Sequence, residues 1–307
     1  MIDFFDDLYY FLIKDNKGSL IWKLMRYIIR KIANIVLPGY FVLTRTNKKY
    51  KLDIPKDIHP QLIVSLTSFP ARINHLWKII ESLLRQSVKP DRIILWISEE
   101  QFHSEDDIPK NLLKLKKRGL EIKIRKGDLR SHKKYFYTFK EYPNDICIIV
   151  DDDIFYRSNL LATLTSLHNI YPNAVCFNHG RTILDEKGRV IAYDDGSPLK
   201  PRREAELSNG FLPVGVGGVL YPPNSTEMDV LNERIFREIC FSADDIWLWA
   251  MTYKHGTQFV YSGLKIGFVP VIIQNNVTLC STNNKGGNSE QFTKVLNYLK
   301  FYHNYNE

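Results

Sequence analysis

The 307-residue sequence is poor in the features that mark several common classes of protein. It has four cysteines, Cys147, Cys176, Cys240 and Cys280, which form neither a Cys-x-x-Cys pair nor a ligand set with histidine. A zinc site and a disulfide framework are therefore disfavoured, and we expect core-filling thiols in a reducing cytoplasm. The sequence also lacks any run of about 18 uncharged apolar residues, so we expect no simple transmembrane helix.

Three further absences narrow the range of functions. The first residues, MIDFFDD, are acidic, whereas a secretory signal peptide begins with basic residues. The glycines at Gly215, Gly217 and Gly218 do not form Gly-x-Gly-x-x-Gly and do not follow the first predicted strand, which disfavours a dinucleotide site. Aromatic residues make up 13% of the chain, but no RNA- or DNA-binding signature accompanies them, so we expect no nucleic-acid partner.

The distribution of charge is the first positive signal. The net charge is +8, and the first 50 residues hold nine Lys and Arg against four Asp and Glu, which accounts for five of that excess. Such localised basicity favours an acidic partner near the N-terminus, a membrane surface more than a nucleic acid.

Residues 20–37 form the clearest helical pattern in this basic segment. Lys23, Arg26 and Arg30 share one side of the helix, opposite an apolar face. Pro38-Gly39 is expected to end the helix. The apolar face consists of Ile21, Leu24, Met25, Ile28, Ile32, Ile35 and Val36. Such a helix could lie in a membrane interface, or its apolar face could dock on the protein's own core while the basic face stays in water. The sequence leaves both interpretations open.

Strands and helices alternate from residue 61 onward, which predicts an α/β fold with a mostly parallel sheet. The predicted strands are 61–67, 92–97, 120–125, 145–150, 175–178, 190–193 and 214–221. The predicted helices are 73–84, 112–117, 135–142, 229–239, 244–253 and 291–302. Residues 283–288 (NNKGGN) are typical of a mobile loop. We therefore divide the chain into an amphipathic helical region, 1–58, and one α/β domain, 59–307.

Asp151-Asp152-Asp153 follows the fourth predicted strand directly and is the sharpest chemical signal. Ligands of parallel sheets collect at the carboxyl ends of the strands, where this triplet and Thr67-Ser68 of the first strand are expected to meet. Three adjacent carboxylates repel one another unless a cation neutralises them, and Mg²⁺ or Mn²⁺ bridges carboxylates to phosphates. The alternative is an acidic turn that caps a helix beginning near Ser158, but a cap needs only one carboxylate.

An ordered set of segments extends this signal: SLTSFPARI, SLLRQSVKPDRIILWIS, LRSHKKY, VDDDIFY, GVGGVLYPP and SADDIW. Together they resemble bacterial family-two-like glycosyltransferases that build surface polysaccharides and lipopolysaccharide, over about residues 60–300. The resemblance implies a GT-A fold, which is Rossmann-like with helices flanking a mostly parallel sheet. It also implies an Asp-x-Asp metal motif and a nucleotide-sugar donor.

The resemblance also implies roles for individual residues in the donor site. Asp153 would ligate the metal between the two phosphates. Asp151 would lie near the ribose or sugar as a second candidate ligand, and Asp152 would complete the site. The residues expected near the nucleotide, the diphosphate or the sugar are Thr67, Ser68, Pro70, Arg72, Lys133, Lys134, Gly217 and Gly218. From the residues alone, the two lysines could equally form a solvated basic turn, and the glycines could simply permit a tight bend.

Asp244-Asp245 opens a predicted helix, where carboxylates are also favoured as caps. The family pattern places a catalytic acid–base residue here, usually the second of the pair, so Asp245 is the first candidate for the base and Asp244 the second. An inverting transfer needs such a base, which favours inversion over retention. His303 could be a third metal ligand, and Asn288-Ser289-Glu290 could close over the donor as a lid.

The sequence therefore predicts a metal-dependent transferase that moves a sugar from a nucleotide-diphosphate donor, preferentially UDP-linked, to a hydroxyl of a glycan or lipid-linked acceptor. Its expected place is the inner face of the cell membrane, in peripheral contact with anionic lipid. Two alternatives remain. One is another metal-dependent phosphate enzyme, a nucleotidyltransferase or phosphohydrolase. The other is a non-catalytic protein that binds carbohydrate or membrane.

Overall fold

The computed structural model describes residues 1–13, 20–45, 60–185, 187–273 and 287–300. The α-helices are α1 (Ile2–Ile13), α2 (Leu20–Leu43), α3 (Pro70–Leu84), α4 (Lys110–Leu113), α5 (Lys133–Glu141), α6 (Leu160–Ile170), α7 (Glu233–Ile239), α8 (Asp244–Lys254) and α9 (Asn288–Tyr298). The strands are β1 (Leu62–Thr67), β2 (Arg92–Ser98), β3 (Leu120–Arg125), β4 (Ile146–Ile149), β5 (Val175–Phe177), β6 (Gly180–Thr182), β7 (Glu206–Leu207), β8 (Phe211–Pro213), β9 (Val219–Tyr221) and β10 (Phe259–Tyr261).

Eight strands form one mixed sheet in the order β3-β2-β1-β4-β9-β5-β10-β7. β1 pairs in parallel with β2 and β4, and β2 pairs in parallel with β3. β9 is antiparallel to both of its neighbours. One face of the sheet packs against α1–α4 and α6, and the other packs against α5 and α7–α9. The carboxyl ends of β1 and β4 therefore lie side by side, because the two strands are parallel neighbours.

The α/β fold and the first four strands predicted from the sequence are confirmed, within one or two residues at each end. The second half differs more. Residues 190–193 form no strand, and only Val190 makes an isolated bridge, to Leu184. The predicted strand 214–221 is interrupted by a 3-10 turn at Gly215–Gly217, so that only Val219–Tyr221 pairs in the sheet. Cys147, Cys176 and Cys240 are buried free thiols, as expected; Cys280 and residues 283–286 lie outside the described residues.

The prediction that Pro38-Gly39 ends the N-terminal helix is wrong, because α2 continues through Pro38 to Leu43. Proline removes one helical hydrogen bond and crowds the preceding turn. The side chains buried on either side of it, Leu37 and Phe41, pack into the core of the domain. That packing holds the helix together across the proline, since tertiary burial outweighs local propensity.

The apolar face of α2 points away from the protein. Its seven predicted members are between 38% and 75% exposed, whereas Ala33, Leu37 and Phe41 on the opposite side are fully buried. The interpretation in which the apolar face docks on the protein's own core is therefore wrong within the described residues. None of the described helices combines the length and apolar character needed to cross a bilayer.

Candidate active site

A cleft of about 530 Å³ lies at the carboxyl ends of β1 and β4. Ten of the predicted site residues line it, namely Thr67, Ser68, Arg72, Lys133, Lys134, Asp151, Asp152, Asp153, Asp244 and Asp245. Four segments of the sequence thus meet in one place: the loop after β1, the start of α5, the triplet after β4 and the start of α8.

Asp152 is the buried, fully partnered member of the acidic triplet. Ser68 Oγ donates to its Oδ2 at 2.6 Å, and Arg72 Nη1 donates to its Oδ1 at 2.5 Å. Burial raises the pKa of Asp152, while the charge of Arg72 and the hydrogen bond from Ser68 oppose that rise. Asp152 therefore binds the loop after β1 to the turn after β4, and Arg72 is engaged with carboxylates rather than free for a base or ribose.

Asp153 is the member of the triplet with a carboxylate oxygen that accepts no hydrogen bond from the described residues. Arg72 Nη1 reaches its Oδ2 at 3.2 Å, but the buried Oδ1 has no hydrogen-bond partner among the described residues. Burial, with the charges of Asp151 and Asp152, raises the pKa of Asp153 to about 6. A buried carboxylate oxygen without a partner, repelled by its neighbours, is suited to a divalent cation.

The described part of the chain contains no group of three or more His, Cys, Asp or Glu side chains arranged as a ready metal cage. Mg²⁺ and Mn²⁺ do not require one, because in phosphate enzymes they are held by one or two carboxylates together with substrate phosphates. Asp153 and Asp151 fit that arrangement. His303, the possible third ligand, lies outside the described residues.

Lys134 is the cation at the centre of the cleft. Its Nζ lies 2.7 Å from Asp151 Oδ1 and 2.9 Å from Asp244 Oδ2, so it joins the triplet to the start of α8. Burial acts to lower the pKa of Lys134, but the charges of Asp151, Asp244 and Asp245 outweigh burial and raise it well above its usual value. Lys134 is therefore charged and already paired before any ligand arrives.

Lys133 is buried beside it and is paired with Asp128. Burial lowers the pKa of Lys133, although the hydrogen bond and charge of Asp128 oppose this shift. Both lysines are thus embedded in ion pairs, and the solvated basic turn that the sequence allowed is wrong.

Asp244 and Asp245 do not cap α8 with their side chains, although they occupy its first turn. Asp244 pairs with Lys134, and Asp245 Oδ1 accepts a hydrogen bond from the backbone N–H of Gly215 at 3.1 Å. Burial and the charge of Asp244 raise the pKa of Asp245 well above its usual value. A carboxylate with a raised pKa is a stronger base, so the structure distinguishes the two residues chemically.

The glycine that approaches the carboxylates is Gly215. A Cβ on Gly215 would lie 2.9 Å from Lys134 Nζ, which is closer than such contacts allow, and 3.1 Å from Asp151 Oδ1, which is a tight contact. The two glycines expected at the sugar, Gly217 and Gly218, instead pack against His179 and against Leu160, behind the cleft wall. Pro70 also lies off the cleft lining, at the exposed start of α3.

Several further residues line the cleft. Tyr193 and Arg130 were not predicted as site residues, and Asn288 was expected only as part of a lid. The side chains of Tyr193 and Asn288 are 3.2 Å apart across the cleft mouth. Arg130 is exposed, adopts a left-handed backbone (φ 50°) and stacks its guanidinium on the Phe241 ring. The local pattern predicted a strand over 190–193, so it gave no indication that Tyr193 lines the cleft.

The histidines nearest the site take structural roles. His132 is fully buried, stacks on Phe236 with ring centroids 4.3 Å apart, and contacts the Cys240 carbonyl oxygen through Nε2 at 2.9 Å. Burial lowers the pKa of His132 and of His179 to about 4, so both rings are neutral at physiological pH.

No protein-family model and no curated protein matches the sequence. Solved structures do match its fold. The mannosyltransferase PcManGT from Pyrobaculum calidifontis, in complex with GDP-Man and Mn²⁺, is 12% identical with a TM-score of 0.50; the match covers 88% of this chain and 74% of that one. The chain thus has the mixed α/β architecture of GT-A glycosyltransferases.

Two more structures show weaker similarity. The 1–349 segment of TarS from S. aureus is 13% identical with a TM-score of 0.44, over 67% of this chain. GalNAc-T7 with UDP, GalNAc and Mn²⁺ is 11% identical with a TM-score of 0.43, over 73% of this chain. This chain spans only 58% of the TarS segment and 48% of the GalNAc-T7 chain.

Proposed function

We propose that this protein is a metal-dependent glycosyltransferase that uses a nucleotide-diphosphate sugar, preferentially UDP-linked, as its donor. The observation that carries the proposal is that one cleft contains two carboxylates with different surroundings, Asp153 and Asp245. Asp153 keeps a buried oxygen without a partner, and Asp245 is held beside the Gly215 amide with a raised pKa. The first suits a cation that binds phosphates, and the second suits a general base.

In this proposal Asp153 and Asp151 hold Mg²⁺ or Mn²⁺, which when bound neutralises the charge that develops on the departing diphosphate. Arg72 and Ser68 hold the Asp152 carboxylate in place, so that the turn after β4 presents Asp153 to the ligand. Lys134 balances the charges of Asp151 and Asp244, which limits the repulsion among the carboxylates.

Asp245 removes the proton of an acceptor hydroxyl while that oxygen attacks the anomeric carbon of the donor sugar. The bond between the anomeric carbon and the diphosphate breaks, and the diphosphate leaves with the electron pair. A single displacement of this kind inverts the anomeric configuration. Asp244 is unsuited to the role, because its carboxylate is already bound to Lys134. Burial acts to raise the pKa of Asp244, but the charge of Lys134 lowers it.

The acceptor in this proposal is a glycan or a lipid-linked sugar, and the enzyme works at the inner face of the cell membrane. Support for that location comes from the outward-facing apolar residues of α2 and the five excess positive charges of the first 50 residues. Bacterial polysaccharide or lipopolysaccharide synthesis is the setting that the sequence resemblance favours.

The experiment that tests this proposal is a screen of UDP-, GDP-, dTDP- and CMP-sugars with Mn²⁺, Mg²⁺ or EDTA, read out as donor hydrolysis and as binding. We expect one donor to bind and to be hydrolysed only with metal. Asp245→Asn should keep donor binding within a few-fold but lose at least about a hundredfold in turnover, the usual contribution of a general base. Folded protein that binds no nucleotide sugar would refute the proposal.

A further inference from the structure

We propose that the outward face of the α1–α2 hairpin (residues 1–13 and 20–43, here called the hairpin) is a docking surface for an anionic lipid bilayer. We further propose that the hairpin is fixed rigidly beside the acidic triplet, so that docking sets the position of the cleft above the membrane. This deepens the proposed function, on which it rests for its purpose: it names the lipid surface and the residues that meet it.

Exposed apolar side chains are concentrated on the hairpin. Of seventeen large hydrophobic residues that are exposed in the described chain, fourteen belong to it. They are Met1, Phe4, Phe11, Leu20, Ile21, Leu24, Met25, Tyr27, Ile28, Ile32, Ile35, Val36, Val42 and Leu43. Scattered single exposures are ordinary, but a continuous apolar face on one element marks an interaction surface.

The other side of the hairpin is fully used by the protein. Residues 266–272, here called the strap, run beneath it. Asp6 accepts hydrogen bonds from the backbone N–H groups of Gly267 and Phe268 at 2.9 and 3.0 Å. Asn34 accepts from Ile272 N at 2.8 Å and donates to the Pro270 carbonyl at 2.9 Å. The hairpin therefore cannot turn its apolar face inward without losing these bonds.

The strap in turn pairs with the acidic triplet and the residues after it. Val271 N donates to the Asp153 carbonyl at 2.8 Å, and Phe155 N donates to the Val269 carbonyl at 3.1 Å. The strap lies so close to α1 that no side chain fits at Gly267, because a Cβ there would lie 2.1 Å from the Asp6 carbonyl oxygen. The hairpin, the strap and the candidate metal ligand thus form one continuous hydrogen-bonded stack.

The charged residues of the hairpin indicate that its partner is negatively charged. Its acidic residues are bound to groups of the protein: Asp3 accepts from Ser158, while Asp6 and Asp7 both pair with Arg157. Lys23, Arg26 and Lys31 have no carboxylate partner within the described residues, and Lys23 and Lys31 are exposed. The same element thus carries an exposed apolar face and cations, a combination complementary to a bilayer whose acyl chains lie under anionic headgroups.

A second copy of the chain is a poorer occupant of the same face. Pairing two hairpins face to face would bring two sets of cations together. The carboxylates of the described hairpin offer no compensation, because Asp3, Asp6 and Asp7 are already bound by Ser158 and Arg157. A bilayer with anionic lipid supplies the missing negative charge, whereas a second copy does not.

The test is sedimentation of the purified full chain with vesicles of phosphatidylcholine, with and without phosphatidylglycerol. We expect binding to the anionic vesicles that weakens with salt, since the electrostatic part is screened. The double variant Ile28→Glu/Ile35→Glu should lower this binding at least about tenfold, because two exposed apolar side chains no longer transfer into the interface. Met228→Glu, which alters a residue 87% exposed outside the hairpin, is the matched control and should leave binding unchanged.

Metal-dependent nucleotide-sugar binding is measured on the same samples, so that the two proposals fail separately. Loss of vesicle binding in the double variant, with donor binding intact, supports the docking surface. Equal vesicle binding by the double variant and the wild type overturns it. So does light scattering that shows a stable dimer for the wild type and a monomer for the double variant. Donor binding that is absent from all three proteins, while vesicle binding follows the expected order, would refute the proposed reaction and leave the docking surface standing.

Discussion

Replacing Lys134 by methionine should destabilise the fold strongly, because it leaves a buried carboxylate without its cation. The Lys134 side chain is 3% exposed and that of Asp244 is 8% exposed, so this pair is shielded from water. Breaking such a pair by removing one partner costs about 3–5 kcal/mol. Asp151, the second partner of Lys134, is 30% exposed. Solvent can therefore screen its charge when Lys134 is removed, so the loss of this second ion pair adds little to the destabilisation.

The adjacent Lys133→Met variant is the matched control. Lys133 is equally buried, but its partner Asp128 is 31% exposed and can be solvated when the lysine is removed. We therefore expect a loss of about 1 kcal/mol or less. Urea denaturation at neutral pH, followed by circular dichroism, would measure both changes in the free energy of unfolding.

The Lys134→Met defect should also depend on pH in a defined direction. Without Lys134 the pKa of Asp244 in the folded state would rise above its value in the unfolded chain, so the folded state would bind the extra proton. The penalty is then full at neutral pH and shrinks as the pH falls through the raised pKa of Asp244, until both states are protonated below about 4. Adding Asp244→Asn should recover part of the loss at pH 7, because the buried charge is gone. Equal destabilisation by the Lys133 and Lys134 variants would refute this account of the cleft.

Three further predictions concern the site and its supports. Mn²⁺ affinity should fall as the pH drops below about 6, because Asp153, whose pKa is raised to about 6, must lose its proton to bind the ion; calorimetric titration at pH 5 and 7 would measure this fall. Gly215→Ala should lower turnover at least about tenfold while the protein stays folded, because the new Cβ would displace Lys134 Nζ. Gly39→Ala is the control: a Cβ there would meet nothing within 4 Å, so turnover in the same assay should not change. Asn34→Ala should lower the free energy of unfolding by about 2 kcal/mol, because two hydrogen bonds to the strap are lost. Asn297→Ala, at an exposed position, should lower it by about 0.5 kcal/mol or less. Urea denaturation would measure both changes.

The parts of the structure that the sequence predicted well are those in which the local pattern decides the outcome. Residues 62–67 and 146–149 are short, mostly apolar runs typical of buried strands, and their parallel pairing brings Ser68 to Asp152 across 84 positions of sequence. The acidic triplet follows the second run directly, so its place at the carboxyl edge of the sheet could be inferred without knowledge of the rest.

The parts that could not be predicted depend on contacts between distant segments. Periodicity identified an apolar face on α2 but not its direction, which is set by the hydrogen bonds of Asn34 to a strap 236–238 residues away. The pairing of Lys134 with Asp244 joins residues 110 positions apart, and nothing near either one indicates the other. Among the glycines at 215–218, only the surrounding side chains determine which one approaches the carboxylates.

The most direct test of the central claim is calorimetric titration of UDP and of GDP into the full chain, with Mn²⁺ or with EDTA. Wild type, Asp153→Asn and the exposed surface control Asp106→Asn would be compared. The account predicts that one nucleotide binds the wild type and the control with Mn²⁺, and that EDTA or Asp153→Asn weakens this binding at least about tenfold. Binding that is indifferent both to EDTA and to Asp153→Asn would contradict the claim that Asp153 holds a metal ion between the protein and a diphosphate.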